Sequence, residues 1–392
     1  MKILFVATDY PERGKPTTGF PNYIKRVSLA LIQMGHKPLI VAAGAKDSYR
    51  TEQGIDIWTV GMKYKTYGFQ TLNYIFNAAK KGYNLSKKVD EIIEKEAVDI
   101  VQYTSLEGIA MFYRGRIPAV LRLSSYAKTY FNSMKTYSPV AVKVMAQMER
   151  WSARRCSMIF APCKITAQSF GRDCRRRVKV IETPFLNDVK EYDDSYYEEY
   201  LTNRKYALFF GTLYAEKGIV VIADILERFL QSNLQYYFVF VGNEWSINGE
   251  DFVGLLKKKA GSCGDRVIIL NALPHEQLYP IIMNSDFVVL PSLMDNLPNA
   301  CIEAMYFKRI VIGTDGASFE QLITHEKTGL LCKRGDSGDL LEKMQRAVSM
   351  SVEEKEKMGN RANQRIDRLK PEFTVKKLVQ LYEYVLEKEI KK

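Results

Sequence analysis

Apolar positions along the chain fall into short runs separated by longer stretches of helical spacing, and this alternation sets the whole reading. In the first half, residues 3–7, 39–43, 55–60, 99–103, 119–123, 158–161 and 178–181 have the length and composition of buried strands. Helical patterns fill the gaps, chiefly 22–34, 72–96, 139–155 and 165–171. The second half repeats the rhythm, with strands predicted at 206–210, 237–241, 267–270, 287–290, 310–313 and 329–332. Helices are predicted there at 219–230, 251–260, 275–283, 298–307, 319–323 and 337–350. Helical spacing then runs from 352 to 369, stops at Pro371 and resumes over 375–390. Strand and helix in strict alternation imply an α/β chain with doubly wound, Rossmann-like parallel sheets. The acidic, tyrosine-rich stretch EYDDSYYEEY (191–200) interrupts the pattern and reads as the linker, with Asp193 and Asp194 as solvated surface.

Length supports two domains, since 392 residues exceed one ordinary core. Composition is that of a globular protein, 46% hydrophobic and 26% charged. No apolar run approaches the roughly 18 residues of a membrane span. The opening MKILFVATDYP reads as a first strand rather than a signal peptide. The cysteines at 156, 163, 174, 263, 301 and 332 form no C-x-x-C pair, so reduced thiols and a cytoplasmic location are expected. Charge is uneven: residues 1–190 carry 31 Lys and Arg against 15 Asp and Glu, which puts +16 there and −4 on the remainder. A basic half facing nucleic acid, an acidic membrane or a phosphate-bearing substrate fits this distribution, as does a merely basic surface.

The densest chemistry lies at residues 290–305, LPSLMDNLPNACIEAM. A strand that stops at Pro291 and hands over to a helix places residues 292–298 at the carboxyl edge of a sheet, where open α/β sheets bind ligands. Asn296 reads as the helix N-cap, with Pro298 in the first turn. Asp295 and Glu303 frame the turn, about 8 to 12 Å apart at helical rise, too far for a shared metal but suited to the two ends of an elongated ligand. Free helix amides between them suit a diphosphate. Glu303 stands among Ala300, Cys301, Ile302, Ala304 and Met305, so it needs a donor. A ribose diol would supply one, and so would an ion pair with Lys308, Arg309 or a distant lysine. The first strand of the second half ends in GTLYAEKG (211–218), where Gly211 permits close backbone approach and Lys217 projects a cation.

PSLMDNLPNACIEAM resembles the carboxylate-x7-carboxylate motif of glycosyltransferase family 4 (group 1), with Asp295 in place of the usual first Glu and Asn296-Leu297-Pro298 in place of a glycine-containing loop. GTLYAEKG resembles that family's G-R-L-x-x-x-K-G motif, with Thr212 at the arginine position. VGNEWSING (241–249), RVIILNALPHEQL (266–278) and TDGASFEQLITHEKTGLL (314–331) are similar to the succeeding family segments. The resemblance implies a GT-B fold, two Rossmann-like domains facing each other across a cleft, with a C-terminal helix crossing back to the first. On this reading the domains are 1–187 with 372–392, and 188–371.

The resemblance also implies roles. Lys217, Asp295 and Glu303 carry the reaction. The donor is held by Gly19 of Thr18-Gly19-Phe20, by Gly211, Thr212 and Lys217, by Asn271 and Leu273 near the base, and by Asn296, Leu297 and Glu303. Arg122 is the candidate to replace the cation missing at Thr212. His36, His275 and His325 read as structural. The strand ending VLRLSS has Arg122, Ser124 and Ser125 where the family often has a histidine, which fits a retaining reaction whose leaving diphosphate accepts the proton.

The expected function is a metal-independent transfer of a hexose from a nucleotide diphosphate sugar, UDP-sugar first, to a saccharide or lipid-linked oligosaccharide in surface polysaccharide or glycolipid synthesis. No cofactor and no nucleic acid partner are expected. A peripheral contact with anionic membrane on its cytoplasmic face is, because residues 64–83 and 126–155 interleave tyrosines such as Tyr67 and Tyr130 with cations. A GT-B nucleotide-sugar epimerase and a basic nucleic-acid-binding protein are the rivals. Strong, salt-dependent nucleic-acid binding indifferent to UDP would mark the latter.

Overall fold

A computed structural model describes residues 1–10, 19–64, 70–134, 138–245 and 249–390. Thr18 and Tyr67, singled out above, lie outside the described residues. The chain forms two compact units, Met1–Leu186 with Leu369–Lys392, and Asn187–Arg368.

The first unit runs β1 (Lys2–Ala7), α1 (Gly19–Gln33), β2 (Lys37–Gly44), β3 (Ser48–Glu52), β4 (Ile55–Gly61), α2 (Gln70–Lys95), β5 (Ile100–Thr104), β6 (Ala119–Arg122), α3 (Ala127–Met134), α4 (Pro139–Arg154), β7 (Met158–Ala161), α5 (Lys164–Cys174) and β8 (Val178–Val180). These strands make one sheet in the order β3-β4-β2-β1-β5-β6-β7-β8. All pairings are parallel except β3 with β4. Both faces of the sheet are covered, which is why its strands read as continuous apolar runs. Ile3, Phe5 and Ile40 pack against α1 and the final helix, whereas Leu4, Val6 and Leu39 pack against α2, α4 and α5. Periodicity alone misses β3, because SYRTE is polar and largely exposed on the edge of the sheet. It also misses α3 and a 3-10 segment, Leu106–Phe112, wedged between α2 and α4.

Within this layer Glu149 of α4 is 3% exposed and accepts a hydrogen bond from the Ala127 amide at the start of α3. Burial pushes its carboxyl up to about 8. A carboxyl whose folded pKa exceeds its unfolded value binds more protons when folded, so its contribution falls as pH rises from the unfolded pKa through about 8. Glu149→Gln keeps an acceptor for Ala127 without the charge. The expected outcome is a variant more stable than the parent at pH 8 and nearly equal to it at pH 4.5, read from urea midpoints. A difference independent of pH would show that Glu149 is already ionised in the folded chain.

The second unit begins with α6 (Ser195–Leu201) and continues through β9 (Lys205–Phe210), α7 (Ile219–Ala223), α8 (Leu226–Ser232), β10 (Tyr236–Val241), α9 (Phe252–Lys259) and β11 (Val267–Leu270). Then come α10 (His275–Asn284), β12 (Phe287–Leu290), α11 (Asn299–Tyr306), β13 (Ile310–Thr314), β14 (Leu330–Cys332), α12 (Ser337–Ser349) and α13 (Val352–Asp367). Its parallel sheet has the order β11-β10-β9-β12-β13-β14. The chain moves outward from β9 to β11 and then returns to the other side of β9 at β12, so β9 and β12 flank a topological switch point.

Four expectations change here. The stretch 191–200 is not a free linker. Tyr192 lays its ring against Tyr279 and Phe307, Asp193 accepts from Gln277 at 2.7 Å, and α6 follows, so the segment docks on α10. Residues 219–230 divide into α7 and α8 across Asp224 and Ile225, and residues 319–321 form a 3-10 turn. The final helix, α14 (Pro371–Ile390), starts at Pro371 rather than after it, because proline lacks only a donor that the first turn leaves unused. Val375, Leu378, Leu381, Tyr382 and Val385 of α14 belong to the core of the first unit.

Candidate active site

Strand β9 ends at Phe210, and Gly211 turns the chain with φ 130°. A Cβ there would meet nothing within 4 Å, which leaves the backbone approachable, and Thr212 beside it is exposed. A 3-10 turn, Ala215–Lys217, closes on Gly218 at φ 80°. Gly218 is obligatory twice over: its backbone is left-handed, and a Cβ would fall 2.1 Å from the Pro291 carbonyl oxygen that follows β12. The Leu293 amide also donates to the Glu216 carbonyl at 2.8 Å. These contacts join the loops on the two sides of the switch point. They bring Lys217 Nζ to 2.5 Å from Asp295 Oδ2, with side chains 27% and 14% exposed. Sequence reading found both residues but not their pairing, because 78 positions separate them. Gly218→Ala is expected to cost about 1 to 3 kcal/mol, the usual size of a strained backbone position. Unchanged urea midpoints would show that the two loops part without penalty.

The helix after β12 starts one step later than its sequence signals suggest. Pro298 occupies the cap position and Asn299 opens α11, so Asn296 is not the N-cap. Its amide instead donates to Asp295 Oδ1 at 3.0 Å. Leu297 takes a left-handed backbone at φ 61° while remaining 3% exposed. This is where the resembling family has a glycine-containing loop. Burial of the leucine side chain and a 3.0 Å hydrogen bond from its amide to Ser318 Oγ hold a conformation that glycine would adopt without strain. The first amides of α11 have no partner within the helix, as helix geometry requires.

Glu303 lies on α11 at 7% exposure among Cys301, Ile302, Ala304 and Met305, none more than 1% exposed. Arg309 is not its partner; that guanidinium donates to the Phe307 and Ser285 carbonyls. His275, the first residue of α10, places Nε2 3.6 Å from Glu303 Oε1 and stacks on Tyr279 at 5.0 Å. His275, read from sequence as structural, is therefore a neighbour of Glu303 in the candidate site. Its position one short loop after β11, at the same sheet edge, was the available signal. Gly242 after β10 and the loop after β11 close on this edge as well. A Cβ on Gly242 would meet the Gly211 carbonyl oxygen at 1.9 Å, and Asn243 Oδ1 accepts from the Ala272 amide at 3.0 Å. Asn271 beside it is exposed and Leu273 half-buried.

Gly19 and Arg122 belong to the first unit. Gly19 opens α1 at φ 61°, with nothing within 4 Å of a Cβ. Arg122 ends β6 at 6% exposure, donating to Ser124 Oγ at 2.9 Å and Thr183 Oγ1 at 3.1 Å. Its guanidinium lies 3.9 Å from the Tyr23 ring centre and 5.4 Å from that of Phe20, both on α1. Burial lowers its pKa, Tyr23 and Cys163 oppose that shift, and Nε has no hydrogen-bond partner among the described residues. Tyr23 is held in turn by Gln102 at 3.3 Å, and Gln102 accepts from Tyr382 of α14 at 2.5 Å. A buried cation faced by aromatic rings and hydroxyls is suited to an anion that enters from outside the chain.

Residues 198–365 match the family model described as Glycosyl transferases group 1. An uncharacterized glycosyltransferase of Methanocaldococcus jannaschii is 21% identical over 361 residues, 88% of this chain and 87% of its own. A GDP-mannose:cellobiosyl-diphosphopolyprenol alpha-mannosyltransferase of Xanthomonas oryzae pv. oryzae is 26% identical over 160 residues, 40% of each chain. Among solved structures, sucrose-phosphate synthase of Thermosynechococcus elongatus superposes with TM-score 0.79 at 15% identity, over 99% of this chain and 100% of that one. Anabaena HepE, solved with UDP and glucose, does so with TM-score 0.69 at 18% identity, over 99% and 100%. No described helix is long and apolar enough to cross a membrane. Two α/β domains with parallel sheets and a structural likeness along the whole length give this chain the GT-B fold, and its second unit carries the match to glycosyl transferases group 1.

Proposed function

We propose that the chain transfers a hexose from a nucleotide diphosphate sugar, with retention, to a saccharide or lipid-linked oligosaccharide in surface polysaccharide or glycolipid synthesis. The observation that carries this reading is the meeting of Lys217 and Asp295 across the β9/β12 switch point, with Glu303 on the helix that follows. Glu303 accepts hydrogen bonds from the ribose diol, with His275 beside it as a second polar contact. The amides of α11 and the Lys217 ammonium hold the diphosphate, and Asp295 meets the sugar end. Asn271 and Leu273 lie near the base, and Gly211 and Thr212 let the phosphates approach the backbone.

An acceptor hydroxyl attacks the anomeric carbon on the face the leaving group departs from. The bond from that carbon to the β-phosphate oxygen breaks, and that oxygen takes the hydroxyl proton. The products are a glycoside of unchanged configuration and a nucleoside diphosphate. Lys217 stabilises charge that grows on the diphosphate as the bond breaks, the kind of stabilisation that counts most in a water-excluded site.

UDP-sugars are the first donors to test, and the UDP bound to HepE accords with that order. The GDP-mannose enzyme among the relatives keeps GDP-sugars in the screen. Its diphosphopolyprenol acceptor is also consistent with a lipid-linked acceptor here, at an anionic membrane to which the basic first half adsorbs. Incubation with donors and glycan acceptors, followed by proton NMR of the new anomeric signal, tests the reading. A product with the donor's anomeric configuration supports it, and an inverted product rules out the retaining route. Interconversion of the donor sugar without transfer would point to the epimerase.

A further inference from the structure

The chain contains no Asp or Glu between Asp56 and Asp90, nor between Glu107 and Glu149. The described helices of both stretches that pack on the first unit's sheet lie on one face of it. Residues of α2, the 3-10 segment Leu106–Phe112 and α4 share one core with Leu4, Val6 and Leu39, whereas α1 and α14 cover the opposite face. We infer that the outer surface of this α2–α4 layer is where the protein adsorbs to an anionic phospholipid bilayer, and that apolar side chains on it enter the interface. The inference rests on the membrane-borne acceptor proposed above and names the face that meets the lipid.

On α2, Leu72, Phe76 and Tyr83 are 41%, 52% and 45% exposed, and Lys80 and Lys87 are exposed between and after them. At 3.6 residues per turn these five positions fall within roughly 80° of one another, a single outward stripe. On α4, Val140 and Trp151 are 68% and 46% exposed, with Lys143 and Arg154 exposed on the same side. The one carboxylate of α4, Glu149, is buried beneath it. The 3-10 segment links the two stripes. It lies against α2 at Gly82 and against α4 beside Gly108, its Phe112 is 38% exposed with the ring 6.0 Å from that of Tyr83, and Arg155 of the α4 end donates to Met111. Lys87 also sits over the Tyr83 ring at 4.7 Å.

An interfacial surface requires large apolar side chains interleaved with cations, and here Glu107 is paired to Lys81 while the exposed acids of α2, Glu91 and Glu94, lie beyond the stripe toward its end. The cations lie against lipid phosphate while rings and aliphatic tips enter the headgroup boundary. A soluble anion would account for the cations but not for six exposed apolar side chains among them. Tyr130, placed near the interface by the sequence reading, is instead half-buried against Phe131.

Flotation with vesicles of phosphatidylcholine alone or with added phosphatidylglycerol tests the face. Wild type is compared with Lys80→Glu/Lys87→Glu, with Phe76→Ser/Trp151→Ser, and with Lys376→Glu/Lys377→Glu, which changes charge equally on the exposed side of α14. At near-physiological salt the first two variants are expected to lose at least tenfold in partitioning onto anionic vesicles, and the α14 variant less than twofold. Brominated lipid is expected to quench Trp151 in a Trp58→Phe/Trp245→Phe background. A thermal shift with UDP and GDP on every variant confirms that its second unit is folded. Equal losses in all three variants would overturn the assignment of this face and leave the membrane reading intact. Wild type that fails to float at low salt would overturn both. Quenching of Trp151 by soluble iodide but not by brominated lipid would also contradict insertion.

Discussion

Replacing Lys217 by alanine is expected to lower turnover by about 10²- to 10³-fold at saturating donor, the usual loss when one positioned stabiliser of developing charge is removed. The magnitude follows from position. Lys217 is fixed by Gly218 against the β12 loop and is 27% exposed, so its charge is only partly screened by water. Thr212 occupies the place where the resembling family supplies a second cation, which leaves more of the diphosphate's charge to Lys217. A diphosphate arriving there shares the ammonium with Asp295, whose oxygen is 2.5 Å away. Asp295→Asn is therefore the informative companion. It keeps the size of the side chain, removes the competing charge, and is expected to tighten nucleoside diphosphate binding while slowing transfer. Lys217→Ala retaining activity to within a factor of a few would assign the phosphates to another residue.

Glu303→Gln is expected to weaken donor binding by roughly 10- to 150-fold with little loss of stability, since hydrogen bonds to a charged group contribute about 1.5 to 3 kcal/mol. Glutamine fits the same space among Cys301, Ile302, Ala304 and Met305 but can accept at only one of its two terminal atoms. A ribose diol offering two hydroxyls would lose one of its acceptors. The structural reading is an ion pair with His275, 3.6 Å away, and it predicts the reverse pattern. On that account the melting midpoint falls and donor affinity does not. Isothermal titration with nucleoside diphosphates, run beside a urea melt, separates the two.

The strand-and-helix alternation was legible because, apart from the edge strand β3, the strands pair in parallel and are buried, so they appear as apolar runs such as Phe287–Leu290. Elements without a core face were not legible. β3 has none, and its polar sequence carries no period that burial enforces. The linker reading of residues 191–200 failed for a related reason: acidic and tyrosine-rich composition suggests solvent, but Tyr192 and Asp193 find partners on α10 and α11's flank that no local pattern predicts.

At the candidate site, the glycine turns and the carboxylate pair could be read locally. Pairing of Lys217 with Asp295 depends on β9 and β12 lying side by side, which is a property of sheet order. The same holds for His275 beside Glu303, and for the aromatic box that Tyr23 and Phe20 build around Arg122. Backbone conformation at Leu297 was hidden for a different reason, since leucine at that position gives no sign of a left-handed turn.

The most direct measurement of the central claim is the melting temperature of the full chain with UDP, GDP and a single-stranded oligonucleotide, for wild type, Lys217→Ala and Glu303→Gln side by side. A ligand at 100 times its dissociation constant adds about 2.7 kcal/mol, which a melt resolves easily. A nucleotide-sugar site at the β9/β12 edge predicts that one nucleoside diphosphate stabilises wild type and that the shift shrinks in both variants. Stabilisation by the oligonucleotide but by neither nucleotide, or a nucleotide shift identical in all three proteins, would contradict it.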